Sequence, residues 1–240
     1  MKRKLVRIFV VMVVLLTAAF GLYLGNDHSG TDLSLLTNPP AGVRVQDSGK
    51  TIAFIPEEIR AGVVFYPGAK IRANAYLNLA GSLAENGYLC VLVNMPLNLA
   101  MLDSDAALTV QKDWPEVKKW FIGGHSMGGL AAEKCASAHE ELFEGLIVLA
   151  SRIQYTFDKL PVLAVYASND GICSPERLAK EPTEKPENYT ELMIEGGCHG
   201  YFGNYGDQFM DGTPTITREA QQEQTKNAVL HFLGRCEAEK

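Results

Sequence analysis

From Val43 onward, short runs of apolar and β-branched residues alternate with longer helical patterns. That alternation restricts the chain to an α/β architecture with a mostly parallel central sheet and helices on both faces. Strands are expected at 43–45, 51–55, 62–66, 89–93, 120–123, 145–149, 162–167 and 191–194, the first two joined as a hairpin through Asp47-Ser48-Gly49. Helices are expected at 73–86, 127–139, 174–180 and 217–233, with Gly87 and Gly145 ending the first two in left-handed backbone. Only about a dozen residues separate Leu149 from Val162, too few for a helical lid, so no large cap domain is expected.

At the centre of this pattern, Gly124-His125-Ser126-Met127-Gly128-Gly129 follows an apolar strand and opens a helix rich in small residues. A Gly-x-Ser-x-Gly turn in that context is a nucleophile elbow: the serine takes strained backbone angles, and glycines stand where a Cβ would strike the strand or the helix. A plain Gly-rich turn with a capping serine is the competing reading. A serine hydroxyl is a weak nucleophile at neutral pH and needs a base, usually a histidine oriented by a carboxylate. Asp170 lies just past the strand 162–167, and His199 follows the last strand in a Gly-rich loop. The order Ser126, Asp170, His199 is that of this fold. Of the five histidines, His28 precedes the domain, His139 closes a helix, His231 belongs to the terminal helix and His125 is locked beside the serine. Asp207 and Asp211 are the alternative acids.

An acyl-transfer intermediate needs two backbone donors for its oxyanion. Met127 N–H is one candidate. Ala69 N–H, in the loop Tyr66-Pro67-Gly68-Ala69-Lys70, is the other, since Pro67 has no N–H to give. Lys70 is a solvated lysine or an aid to an anionic substrate. Met95 to Leu99 either packs in the core or lines an acyl pocket, and Tyr201 to Gly206 either shapes the rim of the site or packs as a loop.

On these residues the chain resembles the α/β-hydrolase superfamily, in particular its compact lidless esterase and dienelactone-hydrolase-like branch. The resemblance covers roughly Val43 to Leu233. It implies hydrolysis of a small-molecule carboxylic ester or related acyl bond by Ser126, His199 and Asp170, with no metal and no organic cofactor. Dienelactone hydrolases carry cysteine as nucleophile where this chain has Ser126, so lactone specificity is not implied, and Pro67-Gly68 departs from the usual His-Gly of the oxyanion loop. A peptidase, amidase or thioesterase would use the same triad, and a non-catalytic binding protein retaining the fold is the rival of a different class.

The N-terminus is organised differently. Lys2, Arg3, Lys4 and Arg7 precede an uncharged apolar run from Ile8 to Leu24, the pattern of a targeting segment. Residues 1–25 are therefore expected as a signal-anchor or signal peptide, 26–42 as a tether and 43–240 as the catalytic domain outside the cytoplasm, membrane-anchored or, after cleavage, secreted. The net charge is −6 even with those four cations, so the domain is acidic and nucleic acid is not an expected partner.

The five cysteines include no Cys-x-x-Cys pair, and no matched histidines accompany them, so a metal site is not expected. Cys90 and Cys135 read as small buried residues. Cys173 and Cys198 flank Asp170 and His199, and in an oxidising compartment a disulfide between them would clamp the acid loop to the base loop. Composition does not determine the oligomeric state.

Overall fold

The computed structural model describes residues 2–180 and 185–238. Eight strands form one sheet: β1 (Val43–Asp47), β2 (Thr51–Pro56), β3 (Ala61–Tyr66), β4 (Tyr88–Val93), β5 (Trp120–His125), β6 (Gly145–Leu149), β7 (Val162–Ala167) and β8 (Tyr189–Ile194). Their order across the sheet is β1-β2-β4-β3-β5-β6-β7-β8. The β1–β2 hairpin and its junction with β4 are antiparallel, and every other neighbouring pair is parallel. The chain is thus an α/β protein with a mostly parallel sheet and no large cap.

The central strands are buried on both faces and read as unbroken apolar runs, as parallel strands do. Val63 and Phe65 of β3 join one core with α2 (Leu77–Glu85) and α6 (Arg218–Ala238). Val64 and Tyr66 join the other, against α3 (Ala106–Asp113) and α4 (Met127–Ala138). Met95 is buried in that second core, so the 95–99 segment does not line the cleft. α5 (Pro175–Lys180) is short and lies at the C-terminal edge of the sheet.

Three local differences from the sequence pattern have clear causes. The expected helix at 73–86 begins as a 3₁₀ turn, Ala73–Tyr76, and becomes α-helical only at Leu77; Gly87, at φ 85°, ends it as expected. Gly145 is not a helix cap but opens β6, where a Cβ would come within 2.8 Å of the Phe232 ring, so glycine is needed there for α6 to pack. α3 was not marked by the sequence: with two turns and only Ala106, Ala107 and Val110 buried, it is too short to set a period.

Residues 2–25 form α1 (Lys2–Gly25), whose Leu5, Ile8, Phe9, Leu15 and Leu16 are exposed. Among the described residues no helix is long and apolar enough to cross a membrane. The segment after it, expected as a tether, is bonded along the domain. His28 N–H donates to Lys70 O at 2.7 Å, Arg72 N–H donates to His28 O at 2.8 Å, and Asp27 pairs with Arg72.

Glu133 is a buried carboxyl on α4 whose Oε1 accepts the backbone N–H of Gln154 and Tyr155. Burial, above all, raises its pKa to about 7 from 4.5. The folded state therefore holds this proton more tightly than the unfolded chain, and the stability tied to it is lost as pH rises from the unfolded value through about 7. Denaturant midpoints measured from pH 5 to 8 are expected to fall more steeply for the native chain than for Glu133→Gln, which carries no charge across that range.

Candidate active site

The loops that follow β3, β5, β7 and β8 meet at the C-terminal edge of the sheet. This is where open α/β sheets place their ligands. Tyr66 of β3 sits in register with Gly124 of β5, which brings the loop after Tyr66 beside the turn at Ser126. Ala167 of β7 pairs with Ile194 of β8, which brings the Asp170 loop beside the His199 loop.

Ser126 occupies φ 54°, ψ −122°, a conformation that strains any residue with a Cβ. The turn closes because its neighbours are glycines: a Cβ on Gly124 would lie 2.3 Å from the Gly128 carbonyl carbon, and one on Gly128 would lie 2.2 Å from Tyr66 O. Ser126 N–H donates to Leu149 O at 2.9 Å, tying the turn to β6. Although Ser126 is the N-cap residue of α4, its side chain makes no capping hydrogen bond. The capping-serine reading therefore fails, and the residue instead lines a cleft of about 360 Å³ that it shares with His199, Met127 and Ala69.

His199 and Asp170 are 0% and 3% exposed. His199 Nδ1–H donates to Asp170 Oδ2 at 2.7 Å, while Asp170 Oδ1 accepts the N–H groups of Ile172 and Cys173 at 2.7 and 2.6 Å. With the carboxylate held from both sides, the imidazole is oriented and its proton sits on Nδ1. Nε2 is left as an acceptor, and among the described residues this buried atom has no hydrogen-bond partner. A neutral imidazole with an unoccupied Nε2 beside a serine cleft can accept a hydroxyl proton.

Met127 is the first residue of α4, so its N–H has no intrahelical acceptor. Ala69 N–H likewise donates to no protein group among the described residues. Its loop is fixed on both sides. Lys70, at φ 61°, donates its N–H to Asn98 O at 2.8 Å and accepts from His28, and its ammonium lies 4.4 Å from the centre of the Tyr23 ring rather than in the cleft.

Beneath the cleft, Gly68 N–H donates to Tyr76 Oη at 3.1 Å, so the hydroxyl proton of Tyr76 goes to His125 Nδ1 at 2.8 Å. His125 is thereby set as the Nε2–H tautomer. Burial and the adjacent His199 ring, 4.5 Å away between centroids, keep its pKa well below the ordinary value. A second positive charge therefore does not compete with any that forms on His199.

The clamp between the Asp170 and His199 loops is not the disulfide weighed from the sequence. No disulfide joins any of the five cysteines, so Cys173 and Cys198 do not pair. Cys173 faces the cleft beside Arg152 and Arg177, whereas Cys198 lies next to Asp211, so their sulfurs face different neighbours. Asp211, weighed from sequence only as an alternative acid, makes the link. Its Oδ1 accepts His199 N–H at 3.0 Å and Gly171 N–H at 3.4 Å, and its Oδ2 accepts Gly200 N–H at 2.7 Å. Gln221 of α6 completes the hold, exchanging two hydrogen bonds with the backbone of Cys198 at 2.9 and 2.8 Å. A polar Gln221 on the stripe that also buries Thr225, Val229 and Phe232 was the available signal for that role. Phe202 and Tyr205 are buried, so the 201–206 loop packs rather than forming the rim. Among the described residues no cluster of three or more His, Cys, Asp or Glu is placed to hold a metal ion.

A model described as the alpha/beta hydrolase family matches residues 62–223, about two-thirds of the chain. The chain belongs to that family. Solved structures with the same fold include a predicted CIB-like hydrolase from Thermoplasma acidophilum, 16% identical over 78% of this chain and 99% of that one, at a TM-score of 0.57. Est1E from Butyrivibrio proteoclasticus is 15% identical over 81% of this chain and 100% of its own, at 0.55. Its complex with ferulic acid is 14% identical over 81% and 97%, at 0.58. No curated protein matches the chain.

Asp211→Ala leaves amides of both loops without their acceptor, which is expected to destabilise the fold by about 1–3 kcal/mol in urea titrations. Asp211→Asn, which keeps one acceptor oxygen, is expected to lose less.

Proposed function

We propose that this α/β hydrolase cleaves carboxylic esters or closely related acyl bonds through Ser126, His199 and Asp170. The observation that carries the reading is the bare Nε2 of His199, in the same cleft as a serine whose side chain is not spent on capping its helix. In this mechanism Nε2 removes the Ser126 proton as Oγ attacks the acyl carbon. The tetrahedral oxyanion rests on the N–H groups of Met127 and Ala69. The imidazolium then protonates the leaving alkoxide, which departs and leaves an acyl-enzyme. Water, deprotonated by the same Nε2, attacks the acyl carbon, and the acid is released as Ser126 recovers its proton. The Asp170 carboxylate holds the ring and offsets its transient charge. Est1E, a protein of the same fold, binds ferulic acid, a carboxylic acid of the class that such a reaction would release.

We also propose that the basic and then apolar N-terminus carries the domain out of the cytoplasm, either retained as an anchor or removed. The charge order of residues 2–24 supports this. External protease added to intact cells is expected to digest the domain; full protection while a known external protein is cleaved would refute the placement.

A fluorophosphonate probe is expected to label the native chain at Ser126 and to leave Ser126→Ala unlabelled. The variant's turnover of p-nitrophenyl acetate is expected to fall on the order of 10⁴-fold. Equal labelling of the two proteins would overturn the hydrolase mechanism.

A further inference from the structure

The cleft over Ser126 has a wall that the triad does not use. Leu130, Ile172 and Leu178 make much of it apolar; among the described residues Arg152 and Arg177 are the only Lys or Arg that line it, and no Asp or Glu does. Two arginines in the cleft of Ser126 stand out in a chain whose net charge is −6.

Their placement is specific. Arg177, on α5, donates from Nη1 to Ile172 O at 2.9 Å, which fastens its head to the acid loop and leaves other N–H donors of the fork for a ligand. Arg152 is half-buried on the segment after β6, lines the same cleft and interacts with neighbouring groups. Both cations line the same cleft as Cys173, and both work against the rise that burial causes in its thiol pKa.

Two nearby carboxyls are committed to other partners. Asp170 is committed to His199 Nδ1 and two backbone amides. Glu133 lies within electrostatic reach of Arg152, but its Oε1 is committed to two amides and its pKa of about 7 leaves it only partly ionised at neutral pH.

A long neutral acyl chain laid along this wall would have to displace water from two guanidiniums and return no hydrogen bond. A substrate with a carboxylate a few atoms from the scissile bond would form charge-assisted, and with arginine often bidentate, hydrogen bonds there. Specificity is the difference between those two costs.

We propose that this hydrolase selects esters carrying a second, anionic group, a carboxylate, and that Arg152 and Arg177 recognise it. The inference rests on the hydrolase reading above, and its test separates the two. Values of kcat/KM are compared for p-nitrophenyl half-esters of succinic and glutaric acid against p-nitrophenyl butyrate and valerate, placing the charge in the acyl part. Phenyl butyrate with and without a 4-carboxylate places it in the alcohol part. The full-length chain is expected to prefer the charged member of at least one pair by about tenfold or more, as charge-assisted pairing provides. That preference is expected to shrink with added salt. In the double variant Arg152→Gln/Arg177→Gln the ratio is expected to approach one, while Arg177→Lys keeps part of it. Because the readout is a ratio within one protein, a general loss of folded enzyme cancels. A chain that labels at Ser126 and hydrolyses the neutral esters but shows no preference in either pair, or a double variant that keeps the full preference, overturns this inference alone. Failure to label together with failure to turn over any ester overturns the hydrolase reading beneath it.

Discussion

The cleft depends on a turn that almost no other sequence could close. Ser126 is held at φ 54° between a buried parallel strand and a helix packed directly against the next strand of the sheet. Any Cβ at Gly124 or Gly128 would overlap backbone rather than a movable side chain. Strain of this kind persists only where its surroundings over-determine it. Here they do: β5 is bonded on both sides, Ser126 N–H is fixed to β6, and α4 buries Ala131, Ala132 and Cys135 against the sheet. The serine side chain is consequently presented at the sheet edge.

Geometry elsewhere in the site is maintained by hydrogen bonds rather than covalent links. Asp211 gathers backbone N–H groups from the Asp170 and His199 loops, and Gln221 grips Cys198 from α6. Tyr76 plays the corresponding part beneath the 67–70 loop, joining Gly68 to His125, whose ring lies tilted against that of His199. Each of these groups satisfies buried backbone donors that would otherwise be orphaned, so stability and site geometry rest on the same contacts. The residues before the domain take part as well, since His28 bonds to the backbone of Lys70 and Ile71 follows it in a short parallel bridge.

The sheet, most of its helices, the elbow and the three residues around it were legible in the sequence because each is a local signal. Apolar runs of strand length, a helical period after them, and Gly-x-Ser-x-Gly between the two need no knowledge of distant contacts. His199 and Asp170 were legible for the same reason, each lying just past the end of a strand in a Gly-containing turn.

What only the tertiary structure decided were relations between segments far apart in the chain. Whether Cys173 and Cys198 pair depends on where two loops aim their side chains, and spacing carries no information on that. Asp211 becomes a clamp only because the 210–212 turn packs so closely on the acid loop that a Cβ at Gly171 would lie 2.4 Å from Met210 O. Arg152 and Arg177, 25 positions apart in the numbering, meet on one wall because β6 and β7 are neighbours in the sheet. Residues 26–31, polar and without a period, carried no signal of the hydrogen bonds that hold them to the domain. Local patterns record the conformational preferences of a few consecutive residues; long-range pairings are set by the sum of packing across the sheet, which no short window of sequence contains.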